Sequence, residues 1–457
     1  MAQSVPNSEL VFDPAQLPTG KPPAFIGGNL LHYRRDPLGF MQTNARDYGD
    51  IVRILFGKRY GFQVNHPEDI QQILVKQAHK VHKAVIYKRT LSEYLGNGLL
   101  ISDGDYWRRQ RKLAQPAFHV NRIASYADIM ADFSARMADQ WRVGETRNIA
   151  EDMMKLTLYI VAKTLFDSDV SGSSSSVANA LEVLLHSVIE QSQLIVRLPE
   201  WIPTPARARK RWSIDTLHEF TLGIIRERRA SGKDTGDLLS MFLSARDEED
   251  GSGMSDEQVR DEALTIFLAG HETTANAMTW TFYLLSQHPQ VEQSLVEEVQ
   301  RVLQGRRPTL ADLPALSYTE QVIKESMRLY PPAWSFARQA METVEFGGYR
   351  FPRGSAFIII PYVVHRDPRW FDAPERFDPE RFSPEREANI PKYAYLPFGG
   401  GARVCIGNSF AMMEAKIILA SFIQRYHLAL DPAQKVVPEP LVTLRPKYGM
   451  KMQVQGR

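Results

Sequence analysis

The chain has 457 residues, of which 44% are hydrophobic and 24% charged, a balance typical of a folded globular protein and not of a disordered or collagen-like one. Its 55 basic and 53 acidic residues nearly cancel, which argues against a dedicated nucleic-acid-binding protein. The single cysteine, Cys405, excludes an intrachain disulfide and a cysteine-rich zinc site. By itself such a cysteine is either a small buried hydrophobic residue or a thiolate that binds a metal or attacks a substrate.

The first half of the chain is predicted to be mostly helical after a short β portion. Two strands are predicted at 51–55 and 60–64. From about residue 67 to residue 282, apolar residues recur at intervals of three and four, which indicates helices. A serine-rich stretch at 171–176 is a flexible connection between two of them.

The second half contains the longest predicted helix. A Ser-x-x-Gln capping box begins it at Ser255, and it extends to about Gln287, a length of roughly 50 Å. Alternating residues and glycine turns at 335–360 predict a small sheet. Further helices are predicted at 291–303, 318–329 and 409–426. The chain is therefore expected to form one domain, residues 1–457, mainly α with a minor β portion.

No targeting or membrane-spanning segment is predicted. The first residues lack a basic stretch followed by an apolar one. The most apolar runs, Ala263–Gly270 and Phe357–Val364, are much shorter than the ~20 residues that a spanning helix needs. We therefore expect a cytoplasmic protein without a membrane anchor.

Cys405 lies in the segment Phe-Gly-Gly-Gly-Ala-Arg-Val-Cys-Ile-Gly, residues 398–407. Glycines allow the backbone to approach a flat, bulky group, and the start of the following helix stabilises a thiolate. Arg403 adds a cation nearby in the chain. The segment resembles the haem-binding loop of the cytochrome P450 superfamily, in which the cysteine is the axial thiolate ligand of the haem iron.

That resemblance implies the cytochrome P450 fold, with haem b held between the long central helix and the final helix after the cysteine. It implies that Cys405 is the metal ligand. The residues expected to bind the haem from the same loop are Phe398, Gly399, Arg403 and Gly407.

The sequence Glu325-Ser-Met-Arg328 places an acid and a base on one face of a predicted helix. Alone, such a pair is usually an exposed ion pair that contributes little to stability. It resembles the family's Glu-x-x-Arg motif, in which both residues are buried and bind an arginine from a later Pro-Glu-Arg-Phe segment. That tetrapeptide occurs twice, and the family's pattern favours Arg381, in the second copy.

The segment Ala-Gly-His-Glu-Thr-Thr, which begins at Ala269, lies in the middle of the long helix. The Thr273 hydroxyl can bind the carbonyl of Ala269, four residues earlier. The resemblance assigns Glu272 and Thr273 as the catalytic acid–alcohol pair that delivers protons, with Ala269 and Gly270 beside the haem. A metal-ligand role for His271 is the less favoured alternative.

The sequence Trp107-Arg-Arg-Gln-Arg111 opens a predicted helix, and its first and last residues share a face. An indole N–H and a guanidinium group together suit a carboxylate. The family uses this pair to hold a haem propionate, and Arg338 and Arg403 match further propionate-binding arginines. Weaker candidates for the same role are His82 and Lys83.

The function implied by the resemblance is that of a haem-thiolate monooxygenase, which inserts one atom of dioxygen into a hydrophobic substrate by hydroxylation or epoxidation. No reductase segment follows the cysteine loop, so we expect a separate ferredoxin- or flavodoxin-type electron donor. We also expect the protein to be a monomer. Arg108, Arg109 and Lys112 are either docking cations for that donor or a solvated helix face. Two alternatives are a peroxide-driven peroxygenase or dehydratase, and a non-enzymatic haem sensor or carrier.

The substrate itself is not specified by the sequence. The stretches expected to shape its site by family analogy are apolar and aromatic, which favours a hydrophobic molecule. They do not distinguish a fatty acid from a terpenoid or a steroid. These stretches are 85–95, 178–196, 267–273 and 333–336.

Overall fold

The computed structural model describes residues 17–167 and 204–457, apart from positions 26, 58, 233 and 249, together with a few positions between 176 and 202. The predicted serine-rich connection at 171–176 and the predicted substrate-lining stretch at 178–196 lie almost entirely outside the described residues.

Helices form most of the regular structure in the described part of the chain. In chain order they are α1 (Leu30–Arg35), α2 (Pro37–Tyr48), α3 (Pro67–Gln71), α4 (Val85–Leu95), α5 (Gly104–Ala114), α6 (Val120–Ile123), α7 (Ala127–Asp139), α8 (Ile149–Phe166), α9 (Pro205–Ser231), α10 (Leu238–Ser244), α11 (Asp256–Gln287), α12 (Pro289–Leu303), α13 (Ser317–Leu329), α14 (Pro361–Val364), α15 (Pro384–Glu387) and α16 (Asn408–Ile423). Among these described helices, none combines the length and the apolar character needed to cross a membrane.

The strands are shorter and fewer. In chain order they are β1 (Ile51–Phe56), β2 (Arg59–Val64), β3 (Val81–Lys83), β4 (Thr146–Asn148), β5 (Phe336–Ala340), β6 (Val344–Phe346), β7 (Tyr349–Phe351), β8 (Ala356–Ile359), β9 (Tyr426–Leu430), β10 (Pro438–Pro440), β11 (Leu444–Pro446) and β12 (Lys451–Gly456). The predicted mainly α class with a minor β portion is confirmed.

The predicted element bounds are close to those observed. Helix α11 begins after Ser255, whose side chain and that of Gln258 form the predicted capping box. The final helix is shorter than predicted, because the chain leaves it at Ile423 and Tyr426 already pairs in β9. The sequence did not reveal β3, β4 or β9–β12, since three- to six-residue strands carry too few alternations to be recognised.

The described residues divide into two compact units. The first, here the β-rich unit, comprises Met1–Val85, Ser335–Pro374 and Ile390–Val404. The second, the helical unit, comprises Ile86–Trp334, Glu375–Asn389 and Cys405–Arg457. The prediction of a single domain without a fused reductase stays a prediction.

The β-rich unit is organised around a five-stranded sheet in the order β1-β2-β8-β5-β3. Strands β2 and β8 run parallel, and the other neighbours are antiparallel. Its core contains the aromatic rings of Phe62, Phe346, Phe351 and Phe357, with neighbouring ring centroids 4.7–5.2 Å apart. Offset and edge-on aromatic contacts of this kind stabilise a small core beyond the area that they bury.

The helical unit is built around α11, which packs against α8, α9, α13 and α16. The buried indole of Trp280 on α11 stacks on Tyr330 with ring centroids 4.1 Å apart. Two small sheets belong to the same unit: β4-β12-β9 and the β10–β11 hairpin. Helix α11 is therefore enclosed along most of its length by other elements of the unit.

A buried ionic network holds residues 376–381 against α13. Glu325 accepts from Arg328 Nε at 2.7 Å and from Arg328 Nη2 at 2.9 Å. Arg381 Nε donates to Glu325 Oε1 at 3.3 Å, and the backbone N–H of Asp378 donates to the same oxygen at 2.9 Å. Glu325 and Arg328 are 0% exposed and Arg381 only 3%, so this is not an exposed surface pair. The favoured partner, Arg381, is confirmed, whereas Arg376 in the first copy of the tetrapeptide contributes only its carbonyl.

Replacing Arg381 by Met should lower the free energy of unfolding by about 3 kcal/mol, because it removes one cation from a buried carboxylate that Arg328 still neutralises. Equilibrium unfolding in urea measures this loss. The matched control is Arg376→Met, which removes an exposed side chain from an identical tetrapeptide and should change stability by less than about 0.5 kcal/mol. Equal losses in the two variants would contradict a specific role for the buried guanidinium.

Candidate active site

One face of α11 is accessible in the middle of a helix that is otherwise largely buried. Ala269 is exposed, and Ile266 and Thr273 are partly accessible, whereas Phe267 and His271 are buried. Residues spaced by three and four share a helix face, so the three accessible residues form one mostly apolar patch. This patch, Ile266, Ala269 and Thr273, is called the open face of α11 below.

The Thr273 hydroxyl donates to the carbonyl of Ala269 at 2.7 Å, the hydrogen bond predicted from the sequence. Gly270 faces α8, because a Cβ on it would lie 3.2 Å from Val161 Cγ2 of that helix. The absence of a side chain at Gly270 therefore lets α8 and α11 pack closely. Its predicted place beside a haem stays a prediction.

The Glu272 carboxyl group is held by residues that sequence reasoning missed. Thr443 Oγ1 donates to Glu272 Oε1 at 2.6 Å, and Asn276 Nδ2 donates to Thr443 Oγ1 at 3.0 Å. Glu272 keeps a small accessible surface, but protein atoms surround its carboxyl group, and this burial raises its pKa. The hydrogen bond from Thr443 and the charge of Arg445 lower the pKa and offset part of the increase. Glu272 is thus an acid with a raised pKa next to the open face.

His271 makes no cluster that would suit a metal. Its Nδ1 lies 3.1 Å from the carbonyl of Phe267, and complete burial lowers its pKa to about 4. Within the described part of the chain, no group of three or more His, Cys, Asp or Glu residues could hold a metal ion. These contacts favour a neutral core histidine over a metal ligand at this position.

Cys405 precedes the first residue of α16 by three positions, as the sequence predicted. Its side chain has accessible surface, yet the surrounding protein raises the pKa of the thiol. The backbone N–H of Gly407 and the charge of Arg111 both lower that pKa, by a smaller amount. An accessible sulfur inside a desolvated site beside a cation is suited to binding a metal as a thiolate.

Arg111 and Trp107 lie on α5, which begins at Gly104, three residues before the predicted start. Arg111 Nε donates to Gln115 Oε1 at 3.0 Å, and burial lowers the pKa of the guanidinium. Arg111 acts electrostatically on Cys405, although the two are 294 positions apart in the sequence.

The three proposed docking cations on α5 have partners within the helical unit. Each forms an ion pair with an acid: Arg108 with Asp105, Arg109 with Asp247, and Lys112 with Glu248. These local pairs neutralise much of the positive charge, which favours the interpretation of a solvated, ion-paired face. A docking role stays a prediction.

In the β-rich unit, backbone conformation and the chain's own packing together account for the three glycines before Cys405. Gly399 and Gly401 have φ angles of +71° and +67°, which side-chain-bearing residues rarely adopt. A Cβ on Gly401 would lie 2.1 Å from the carbonyl oxygen of Leu74, and one on Gly400 would lie 2.8 Å from the ring of Tyr393. Leu74 and Tyr393 therefore account for Gly401 and Gly400, and the predicted approach of this backbone to a flat, bulky group stays a prediction. Phe398, immediately before these glycines, is partly accessible.

This loop has an anchor that sequence reasoning missed. The fully buried His365 accepts from the backbone N–H of Leu396 through Nε2 at 2.7 Å. That bond fixes the backbone just before the glycines. The Nε2 atom that accepts it carries no proton. Arg403, in the helical turn Gly401–Arg403, is only partly accessible.

Two cations lie opposite each other on β3 and β5, the last two strands at one edge of the five-stranded sheet. Lys83 on β3 pairs directly with Arg338 on β5, and His82 pairs with Gln339. Directly opposed residues share a sheet face, so Lys83 and Arg338 lie together and His82 lies on the other face. Like charges in such a position repel, and an anion bound there would offset the repulsion. A role for Lys83 in holding a propionate stays a prediction.

A second buried acid lies on α16, in an otherwise apolar helix. Glu414 is 0% exposed, and neither carboxyl oxygen makes a hydrogen bond within the described residues. Burial raises its pKa to about 8, although the nearby Thr274 hydroxyl lowers it slightly without reaching hydrogen-bond geometry. The only signal in the sequence was a lone acid among the apolar residues 410–423.

A family model for cytochrome P450 matches residues 18–454, almost the whole chain. The chain belongs to the cytochrome P450 family. Among its relatives, cyclooctatin synthase of Streptomyces melanosporofaciens is 38% identical over 421 residues, which cover 92% of this chain and 91% of that protein. Cyclooctat-9-en-7-ol 5-monooxygenase of the same organism is 35% identical over 91% of this chain and 90% of that protein. Pentalenene oxygenase of Streptomyces avermitilis is 34% identical over 94% of this chain and 96% of that protein.

This cytochrome P450 is therefore an oxidoreductase of the monooxygenase class, and its cofactor is haem b. The residues present fit that group. The helical unit offers an exposed cysteine and an open apolar helix face, which suit the iron and the apolar ring of a haem. Taken by itself, the β-rich unit offers the opposed cations Lys83 and Arg338, which suit carboxylates.

The buried Glu414 should make this cytochrome P450 lose stability as the pH rises. The unfolded chain releases the proton near the ordinary pKa of 4.5, whereas burial in the folded protein raises the pKa to about 8. The stabilising contribution is complete below about pH 4.5 and falls as the pH rises to about 8. Glu414→Gln removes this slope, so its stability relative to the parent should rise by about 1.4 kcal/mol per pH unit from about pH 5 to about pH 8.

Urea unfolding at several pH values measures this difference. Glu342→Gln, at an exposed position, is the control and should track the parent at every pH. A constant difference between Glu414→Gln and the parent across this range would show that the buried carboxyl group is ionised throughout.

Proposed function

We propose that this cytochrome P450 inserts one atom of dioxygen into a terpene hydrocarbon or an alcohol derived from one. The names of the relatives support this substrate class, since they include a cyclooctat-9-en-7-ol monooxygenase and a pentalenene oxygenase. The observation that carries the proposal is the open face of α11, where apolar surface adjoins the Thr273 hydroxyl and the acid Glu272. An apolar substrate gains free energy by covering such a surface.

The proposed axial ligand is Cys405, because a haem-thiolate enzyme needs a thiolate and this chain has no other cysteine. When bound, the haem supplies the iron at which dioxygen is reduced and cleaved. Residues proposed to hold the propionates are Trp107, Arg111, Arg338 and Arg403. Residues proposed to lie against the ring are Phe398, Gly399, Gly407, Ala269 and Gly270.

Glu272 and Thr273 are proposed to supply the protons. Burial favours the protonated form of Glu272, which lets it act as a donor. The bond from Thr273 to the Ala269 carbonyl orients the hydroxyl oxygen towards the accessible side of the helix, where it can accept and pass on a proton. Each turnover consumes two electrons and two protons; one oxygen atom leaves as water, and the other enters a C–H or C=C bond of the substrate.

The electron donor is proposed to be a separate ferredoxin- or flavodoxin-type protein. Because the cations on α5 form ion pairs within the chain, they do not identify the surface on which the donor would dock. The monomeric state and the cytoplasmic location likewise stay predictions.

Thr273→Ala should retain haem and substrate binding but direct more of the reducing equivalents to hydrogen peroxide, because it removes the hydroxyl that passes on protons. Product and peroxide formed per NADPH consumed measure this coupling, with a surrogate reductase and ferredoxin. Thr279→Ala is a matched control, since Thr279 makes the same bond to a carbonyl four residues earlier but is buried away from the open face. Native coupling in Thr273→Ala would remove the alcohol from the mechanism.

A panel of terpenes, terpene alcohols, fatty acids and steroids should separate the substrate classes. Terpenes or their alcohols are expected to shift the haem Soret band as water leaves the iron, and to give oxygenated product with NADPH, dioxygen and the surrogate donors. Binding restricted to fatty acids or steroids would reject the proposed substrate. Product formed only with added peroxide would reject the monooxygenase mechanism in favour of a peroxygenase.

A further inference from the structure

Three polar side chains of α11 bind the β10–β11 hairpin. Glu272, Asn276 and Trp280 follow one another at intervals of four and therefore share a helix face. Glu272 and Asn276 both contact Thr443, and Trp280 Nε1 donates to the carbonyl of Leu444 at 3.0 Å. The hairpin is thus attached along more than two turns of the helix.

Thr443 is also held from its other side. Trp334 Nε1 donates to the carbonyl of Leu441 at 2.9 Å, two residues before it. The backbone N–H of Leu444, immediately after it, donates to the carbonyl of Pro332 at 2.9 Å. Thr443 is 5% exposed, so its hydroxyl occupies a fixed place with few competing waters. A side chain held in this way is preorganised for a directional interaction.

The hydrogen bonds give the Thr443 hydroxyl a direction. Its oxygen accepts from the Asn276 amide, and its one proton is donated to Glu272 Oε1. When the Glu272 carboxyl group is neutral, Oε1 acts as the carbonyl oxygen that accepts this bond. The acidic proton then lies on the other oxygen, Oε2. Histidine tautomers are selected in the same way, by the hydrogen bond at the other ring nitrogen.

We propose that Thr443 is a positioning residue that keeps the transferable proton of Glu272 on Oε2. This inference rests on the proposed function, in which Glu272 is the acid. In the proton transfer, the Oε2–H bond breaks, the proton passes to the hydroxyl of Thr273 or to a water beside it, and the carboxylate later regains a proton from solvent. Asn276 acts indirectly, because its amide group donates a hydrogen bond to the hydroxyl oxygen of Thr443.

Other charges near Glu272 do not replace Thr443. Arg445 on β11 lowers the pKa of Glu272 through its charge, and its Nε donates to Glu439 Oε2 at 3.1 Å. His271, adjacent on α11, is buried and its pKa is lowered to about 4, so it is neutral at physiological pH. Among the described residues, Thr443 donates the hydrogen bond that the Glu272 carboxyl group accepts.

The test compares Thr443→Val, which keeps the shape of the side chain but removes the hydroxyl, with Thr443→Ser, which keeps it. In the haem-loaded protein, Thr443→Val should retain substrate binding and lose about fivefold in product per NADPH, the factor expected for one ordinary hydrogen bond. Because that bond lowers the pKa of Glu272, the alkaline limb of the coupling profile should move to higher pH in Thr443→Val. Thr443→Ser should restore both properties. Native coupling and an unshifted profile in Thr443→Val would overturn the proposal.

A double-mutant cycle with Glu272→Gln separates this inference from the proposed function. If Thr443 acts through Glu272, adding Thr443→Val to Glu272→Gln causes no further loss. An additive loss overturns the positioning role. If Glu272→Gln is fully coupled, the acid itself is rejected; if it is uncoupled while Thr443→Val is native, only the role of Thr443 is rejected.

Infrared spectra of the resting protein provide a readout that does not depend on turnover. The carbonyl band lost in Glu272→Gln identifies the protonated acid and distinguishes it from Glu414. In Thr443→Val that band should move to higher frequency, because its carbonyl oxygen loses a hydrogen bond, and should bleach at a higher pH. An unchanged band would show that Thr443 does not bind the protonated acid, which overturns the proposal.

Discussion

Carboxyl groups surrounded by protein atoms determine much of how the helical unit is arranged, since an ionised carboxylate there needs compensating donors or cations. Glu325 accepts from two guanidinium groups and from the backbone of Asp378, and this network fixes the chain after α13. Glu272 and Glu414 are surrounded by protein without a guanidinium hydrogen bond among the described residues, and burial raises the pKa of each. The partners of these acids differ: Glu325 belongs to a buried ionic network, Glu272 accepts a hydrogen bond from a hydroxyl group, and Glu414 has no hydrogen bond among the described residues.

Helix α11 joins the structural and the chemical parts of this cytochrome P450. Gly270 lets it pack closely on α8, and the buried Trp280 secures it to Tyr330 and to the β10–β11 hairpin. In the middle of the helix, Ala269 is exposed, and Ile266 and Thr273 on the same face are partly accessible. A rigid helix of this kind can hold an acid and an alcohol in place more precisely than a loop could.

Local sequence patterns predicted the parts of the site that depend on local geometry. The capping box of α11, the Thr273 bond to Ala269 and the Glu325–Arg328 pair all join residues three or four positions apart. Thr443 could not be predicted in this way, because 171 positions separate it from Glu272 and no periodicity connects them. The selection of Arg381 succeeded across 56 positions only because a family pattern supplied the pairing.

The glycine-rich loop shows a different limit. The sequence indicated that the backbone there approaches something closely, but it did not indicate what. The structure shows that Leu74 and Tyr393 account for the absence of side chains at Gly401 and Gly400. A pattern shared by a family can therefore record internal packing as well as contact with a cofactor, and the two are separated only by coordinates.

The single thiol also has a consequence for the oxidative fate of the protein. Cys405 has accessible surface, and no second cysteine exists with which it could form an intrachain disulfide. If the proposed bond between this sulfur and the haem iron is lost, oxidation can lead to a sulfenic acid, to a mixed disulfide with a small thiol, or to a crosslink between two chains. The first products are reversible, whereas the higher oxidation states are not. Loss of the cofactor would therefore leave a limited period in which reducing conditions could still regenerate a chain able to bind it again.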